Sequence, residues 1–146
     1  MLESIQVVLS EGASLPERAT EGSSGFDLRA FIDKPIELLP LERQLIPTGI
    51  RLSMPHGYEA QVRPRSGLAY KSGITVLNTP GTIDADYTGE IGVILVNLSQ
   101  RSFTVEPGAR IAQLVFQKIE VPRLHEVEDL AVTQRGNGGF GSTGTS

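Results

Sequence analysis

The residues of this chain best suited to chemistry fall into five short stretches. The last is the tail Arg135-Gly136-Asn137-Gly138-Gly139-Phe140-Gly141-Ser142-Thr143-Gly144-Thr145-Ser146, where glycines frame one basic residue, one aromatic ring and a Ser-Thr pair. Alone, such a segment reads as an unstructured Gly/Ser end, because glycine gives up the most backbone freedom on ordering. Its donors nevertheless suit a phosphate: main-chain N–H groups, two hydroxyls and a guanidinium, with a ring in Phe140 that can lie flat on a base. In Arg63-Pro64-Arg65-Ser66-Gly67-Leu68-Ala69 an arginine and a hydroxyl stand where a strand gives way to a short helix. Arg65 can grip phosphate oxygens in a fork while Ser66 donates beside it. The plainer reading makes Ser66 an N-cap and Arg65 a solvated surface residue.

In Gly81-Thr82-Ile83-Asp84-Ala85-Asp86-Tyr87-Thr88-Gly89-Glu90 two aspartates stand at i and i+2, on one side if the segment is extended. A carboxylate beside bound phosphate can act as general base on a water or help hold Mg²⁺. The stretch equally reads as a polar hairpin with Asp-mediated turn bonds. In Gly108-Ala109-Arg110-Ile111-Ala112-Gln113-Leu114-Val115, Gln113 interrupts an apolar series, either as a satisfied core amide or as an NH₂ offered to a ligand. In Glu21-Gly22-Ser23-Ser24-Gly25-Phe26-Asp27-Leu28-Arg29-Ala30, Asp27 opens a strand between apolar neighbours, where it either bonds nearby backbone N–H groups, the favoured structural role, or shapes a neighbouring catalytic site. His56 and His125 are isolated and match no metal-ligand spacing.

A chain of 146 residues fits one domain with its own core. It holds no cysteine, which excludes disulfides and thiolate metal sites and suits the cytoplasm. The start Met1-Leu2-Glu3-Ser4 lacks the basic region and apolar run of a signal peptide, and no segment approaches the ~20 apolar residues of a membrane span. A cytoplasmic protein with no membrane partner is expected. The net charge of −4 disfavours nucleic acid as partner, so phosphate recognition must be local and its ligand small.

Sixteen glycines and nine prolines punctuate short β-type runs, which predicts an all-β sandwich or barrel. The runs are Ser4–Leu9, Phe26–Phe31, Ile36–Leu39, Arg43–Pro47, Ile50–Met54, Tyr58–Arg63, Ile74–Val76, Ile91–Asn97, Phe103–Val105, Ile111–Phe116 and Val121–His125, with one short helical turn at Ser66–Lys71. Ile91–Val96 is apolar on both faces and needs cover on both, from the core and from either a loop or a second subunit.

In this order the five stretches resemble the motifs of the trimeric deoxyuridine triphosphatase (dUTPase) family, with Phe26 where the family often has tyrosine. The resemblance spans nearly the whole chain. It implies a jelly-roll-like β-barrel of the β-clip kind over residues 1–134, with a flexible Gly-rich C-terminal arm at 135–146. It also implies a homotrimer whose arms each close over a site built by the other two subunits. The activity implied is hydrolysis of dUTP to dUMP and pyrophosphate, which keeps uracil out of DNA and supplies dUMP for thymidylate synthesis. Asp84 would orient the attacking water, with Asp27 in support. Arg65, Ser66, Gly67 and Gln113 would hold the phosphates nearer the sugar. Arg135, Ser142 and Thr143 would clamp the γ-end, with Phe140 on uracil and Gly141 beside it. The hairpin Ile74–Asp84 with Asn78 would read the uracil edge, and Tyr87 would lie beneath the deoxyribose. Mg²⁺ would be held mainly by the triphosphate and water. A deoxycytidine triphosphate deaminase on the same fold and a non-enzymatic β-sandwich with a loose tail are the competing readings.

Overall fold

The computed structural model describes Leu2 and residues 4–144; Met1, Glu3, Thr145 and Ser146, parts of the leader and tail stretches above, lie outside the described residues. Strands β1 (Gln6–Leu9), β2 (Phe26–Arg29), β3 (Ile36–Leu38), β4 (Arg43–Ser53) and β5 (Tyr58–Arg63) precede helix α1 (Ser66–Ser72). Strands β6 (Ile74–Val76), β7 (Gly81–Ile83), β8 (Glu90–Asn97), β9 (Phe103–Val105) and β10 (Arg110–Lys118) follow it. Two four-stranded antiparallel sheets, ordered β1-β4-β8-β6 and β2-β10-β5-β7, enclose the core, and the β3-β9 pair stands beside them.

Alternation along the strands builds this core. Ile46, Ile50 and Leu52 of β4 and Ile91, Val93 and Leu95 of β8 turn inward, as do Ala60 and Val62 of β5 and Leu28 of β2. Each large aliphatic chain so buried stabilises the fold by about 2 kcal/mol relative to exposure. Phe26 stacks edge-to-face on Phe116, ring centroids 5.8 Å apart, fastening β2 to β10. Asn97, fully buried at the end of β8, is satisfied on both ends of its amide. Its Nδ2 donates to the carbonyls of Leu38 and Arg101, and its Oδ1 accepts from the backbone N–H and hydroxyl of Ser99.

The expected runs Arg43–Pro47 and Ile50–Met54 are one strand, β4, broken by a register shift between Pro47 and Arg51. Gly49 sits in this bulge at φ 71°, and a Cβ there would stand 2.7 Å from the Cβ of Ala13 and 2.9 Å from the Phe31 ring. Only glycine meets both demands. The strand expected at Val121–His125 does not form: Val121 and Leu124 are almost fully exposed, Pro122 lacks an N–H, and no strand among the described residues pairs with the segment. The stretch Ile74–Asp84 is not a paired hairpin either. Its two strands enter different sheets, β6 on β8 and β7 on β5, across the turn at 77–80. Over residues 120–134 the chain is exposed and free of strand or helix.

Candidate active site

The candidate residues fall into three groups, and a single chain does not bring those groups together. The first surrounds the start of α1. Asp27 on β2 pairs across the sheet with Gln113 on β10, which pairs in turn with Arg63 on β5. Side chains directly opposite in an antiparallel sheet share a face, so this row carries one edge of a cleft of about 420 Å³ lined by Ser24, Gly25, Asp27, Arg65, Ser66, Gly67 and Gln113. The Asp27 carboxylate lies 3.5 Å from Arg65 Nε and 3.5 Å from Arg110 Nη1. Arg65 also donates to the Arg110 carbonyl, at 3.4 Å. Arg65 and Asp27 line the cleft, and Arg110 beside it shares the same carboxylate, so two guanidiniums meet one carboxylate there. Gln113 Nε2 donates to the Pro64 carbonyl at 3.2 Å, which fixes its amide at the turn into α1.

Arg65 itself is the N-cap of α1, without a side-chain cap bond, so Ser66 is the first helical residue and not the cap. Ser66 is exposed at the cleft. Arg110 is the residue that reading the sequence missed. Its signal was a lone cation opening the run that carries Gln113, but only the β2–β10 register sets it against Asp27.

The second group is the segment after β7. Asp84 to Tyr87 is a turn closed by the Tyr87 N–H donating to the Asp84 carbonyl at 3.1 Å, so the segment is not extended and Asp84 and Asp86 do not share a strand face. Asp84 is exposed, and both ion pairs among the described residues belong to Asp27 rather than to it. Asp84 and Tyr87 line a cleft of about 340 Å³ with Leu45, Pro47, Gly92 and Ile94 of the β4–β8 face. On β8 the inward face is fully buried, while Gly92 and Ile94 on the outward face are only half-buried. The Tyr87 hydroxyl donates to the Glu90 carbonyl at 2.8 Å. Asn78 is exposed in the turn before β7, its Nδ2 beside Gly81.

These two groups stand at opposite ends of one ladder. Gly81 faces Val62 and Ile83 faces Ala60, so the chain reaches Asp84 travelling away from Arg63. Arg65 lies beyond the other end of β5, roughly 20 Å away along the chain at ~3.3 Å per residue. The two clefts share no lining residue. The third group is the arm. It is a chain of tight turns, Gly138 N–H to the Arg135 carbonyl and Ser142 N–H to the Gly139 carbonyl, with Arg135 Nε folded back onto the Gly138 carbonyl. Phe140, Gly141, Ser142 and Thr143 are exposed, and Phe140 stands wholly free of the barrel at φ 50°. Among the described residues no three His, Cys, Asp or Glu side chains converge as a metal cage, and no helix is long and apolar enough to cross a membrane.

The fold defines the class: an all-β jelly roll of the β-clip kind, shared with structures of known enzymes. The Staphylococcus bacteriophage 80alpha dUTPase with dUPNHPP superposes with a TM-score of 0.88 at 31% identity, covering 97% of this chain and 99% of that one. A mutant dUTPase from phage phi11 of S. aureus, described as showing the coordination of a structural Mg(II) ion, gives a TM-score of 0.79 at 27% identity over 89% of this chain and 100% of that one. In sequence, the deoxyuridine 5'-triphosphate nucleotidohydrolase of Fusobacterium nucleatum is 56% identical over 140 residues, 96% of each chain. That of Chlamydia trachomatis serovar L2 is 61% identical over 137 residues, 93% of this chain and 94% of the relative. The dUTPase family model matches residues 11–144. The chain belongs to the dUTPase family, and is a hydrolase.

Proposed function

We propose that this protein hydrolyses dUTP to dUMP and pyrophosphate in sites shared between chains of a homotrimer. The observation that carries the reading is the separation just described: the cationic cleft at Arg65, the exposed carboxylate of Asp84 and the unanchored arm are each accessible, and one chain keeps them apart. Closed rotational assembly lets a heterologous contact bring one copy's Asp84 to another copy's Arg65. The half-buried outward face of β8, together with exposed Leu45, Leu77 and Leu98, offers apolar surface for such a contact.

In the assembled site Arg65, Ser66, Gly67 and Gln113 hold the phosphates nearer the sugar, and Asp27 keeps Arg65 aimed at them. Asp84 accepts a proton from a water whose oxygen attacks the α-phosphorus. The bond from that phosphorus to its oxygen bridge with the β-phosphorus breaks, and pyrophosphate leaves with the electron pair. The oxygen-rich donor set of the triphosphate, completed by water, fits a hard divalent ion that keeps several waters. When bound, Mg²⁺ would supply charge neutralisation at the leaving pyrophosphate. Arg135, Ser142 and Thr143 grip the γ-end, and Phe140 with Gly141 covers uracil. Closure expels water and strengthens each charged contact.

Selectivity belongs to the turn between β6 and β7 with Asn78, whose polar groups match uracil and would be left unpaired by cytosine, and to Tyr87 beneath the deoxyribose. The test is product analysis with Mg²⁺ and dUTP, dCTP, dTTP or UTP supplied separately. Pyrophosphate from dUTP alone is the expected result. Ammonia from dCTP would make the protein a deaminase, and no product from any of the four would leave a binding protein.

A further inference from the structure

Gly89 lies directly under the ring of Tyr87. A Cβ built there would stand 2.6 Å from the Tyr87 hydroxyl oxygen, 2.7 Å from Cζ and 3.0 Å from Cε2, closer than side chains pack. Its backbone is not in the left-handed region, so alanine would meet no strain of its own. The three atoms nearest to that Cβ all belong to the Tyr87 side chain. Around it the segment is held firmly: Arg51 Nε donates to the Thr88 carbonyl at 2.8 Å, and the Gly49 N–H donates to Glu90 Oε1 at 3.1 Å. The half-exposed Tyr87 side chain is the part free to yield.

We propose that Gly89 is a specificity-determining residue: its missing side chain is the floor on which the Tyr87 ring lies flat, and that pose sets the selectivity for the sugar. The inference rests on the placement of deoxyribose over Tyr87 given above. With a methyl at position 89 the ring must lift and release the Glu90 carbonyl. A displaced ring no longer presents a fixed flat surface beneath the sugar to deny space to a 2′-hydroxyl, so discrimination against UTP falls. Gly89 acts through Tyr87 and touches no substrate; it is a positioning residue.

The experiment measures kcat/KM for dUTP and UTP in the wild type, Gly89→Ala, Tyr87→Ala and the double variant, with thermal melting of each. Gly89→Ala is expected to melt close to the wild type and to lower the dUTP-to-UTP ratio about tenfold or more. Added to Tyr87→Ala, it is expected to change nothing further, since coupled residues are not additive. Tyr87→Phe, which keeps the ring and removes its hydroxyl bond, should shift the ratio in the same direction by less. An unchanged ratio in Gly89→Ala overturns the proposal, and so does an effect of equal size with and without Tyr87. A ratio unmoved by Tyr87→Ala overturns instead the placement of the sugar on which the proposal rests, and a wild type inert toward dUTP overturns the proposed function.

Discussion

Asp84 and Arg65 differ in what surrounds them, and their kinetic roles should differ accordingly. Asp84 stands exposed on a turn, free of both ion pairs among the described residues, which leaves its carboxylate open to the water that the proposed mechanism assigns to it. Asp84→Asn preserves shape and removes the proposed base. Turnover is expected to fall by about 10²–10⁴-fold while nucleotide affinity, read by calorimetry, stays within a few-fold. Arg65 is held by Asp27, which it shares with Arg110. In Asp27→Ala the two guanidiniums lose their common counter-charge and Arg65 loses its aim. KM for dUTP should rise about tenfold, with a much smaller change in kcat, because a fork-shaped phosphate contact depends on orientation. A KM that stays put in Asp27→Ala would show that Arg65 needs no such support.

The bulge of β4 is the element that fixes the chain at 88–91, just after the Asp84 turn. Thr48 Oγ1 donates to the Ile91 carbonyl at 2.6 Å, the Gly49 N–H to the Glu90 carboxylate and Arg51 to the Thr88 carbonyl. Gly49→Ala would drive a methyl into Ala13 and Phe31 at a positive φ. It is expected to destabilise the fold by about 2 kcal/mol or more, measured by urea unfolding, and to lower activity with it. Much of this architecture was legible in the sequence, because alternation and turn residues mark strands such as Tyr58–Arg63, Ile74–Val76 and Phe103–Val105, which form as expected. The bulge was not, since a glycine between two apolar runs reads as a break until the neighbouring sheet shows that the ladder resumes. Strand β7 is three residues without an apolar run and was visible only as part of the Asp84 motif. Val121–His125 has strand composition but no partner among the described residues, and composition carries no information about partners. The site stretches were legible from residue type; Arg110 was not, because its contact with Asp27 depends on register between strands distant in sequence.

At the scale of the whole molecule, the proposed function makes this chain a carrier of parts of a site rather than of a finished one. The cationic cleft, the Asp84 turn and the arm lie apart, and the arm's backbone bonds run within itself and to Thr133 just before it. The proposed distribution of the site over copies would account for the free Phe140 ring and for the apolar outward positions Gly92 and Ile94 of β8. The most direct measurement is complementation between two inactive chains. Asp84→Asn keeps the cleft and lacks the base, whereas Arg65→Ala keeps the base and lacks the cleft. Each alone is expected to be nearly inert. Refolded together in equal amounts, they should recover dUTP hydrolysis in about a quarter of sites, those that draw Asp84 from one variant and Arg65 from the other by random assortment. A mixture no more active than its components, with mixed oligomers verified by mass spectrometry, would contradict the shared site and return both residues to a single chain.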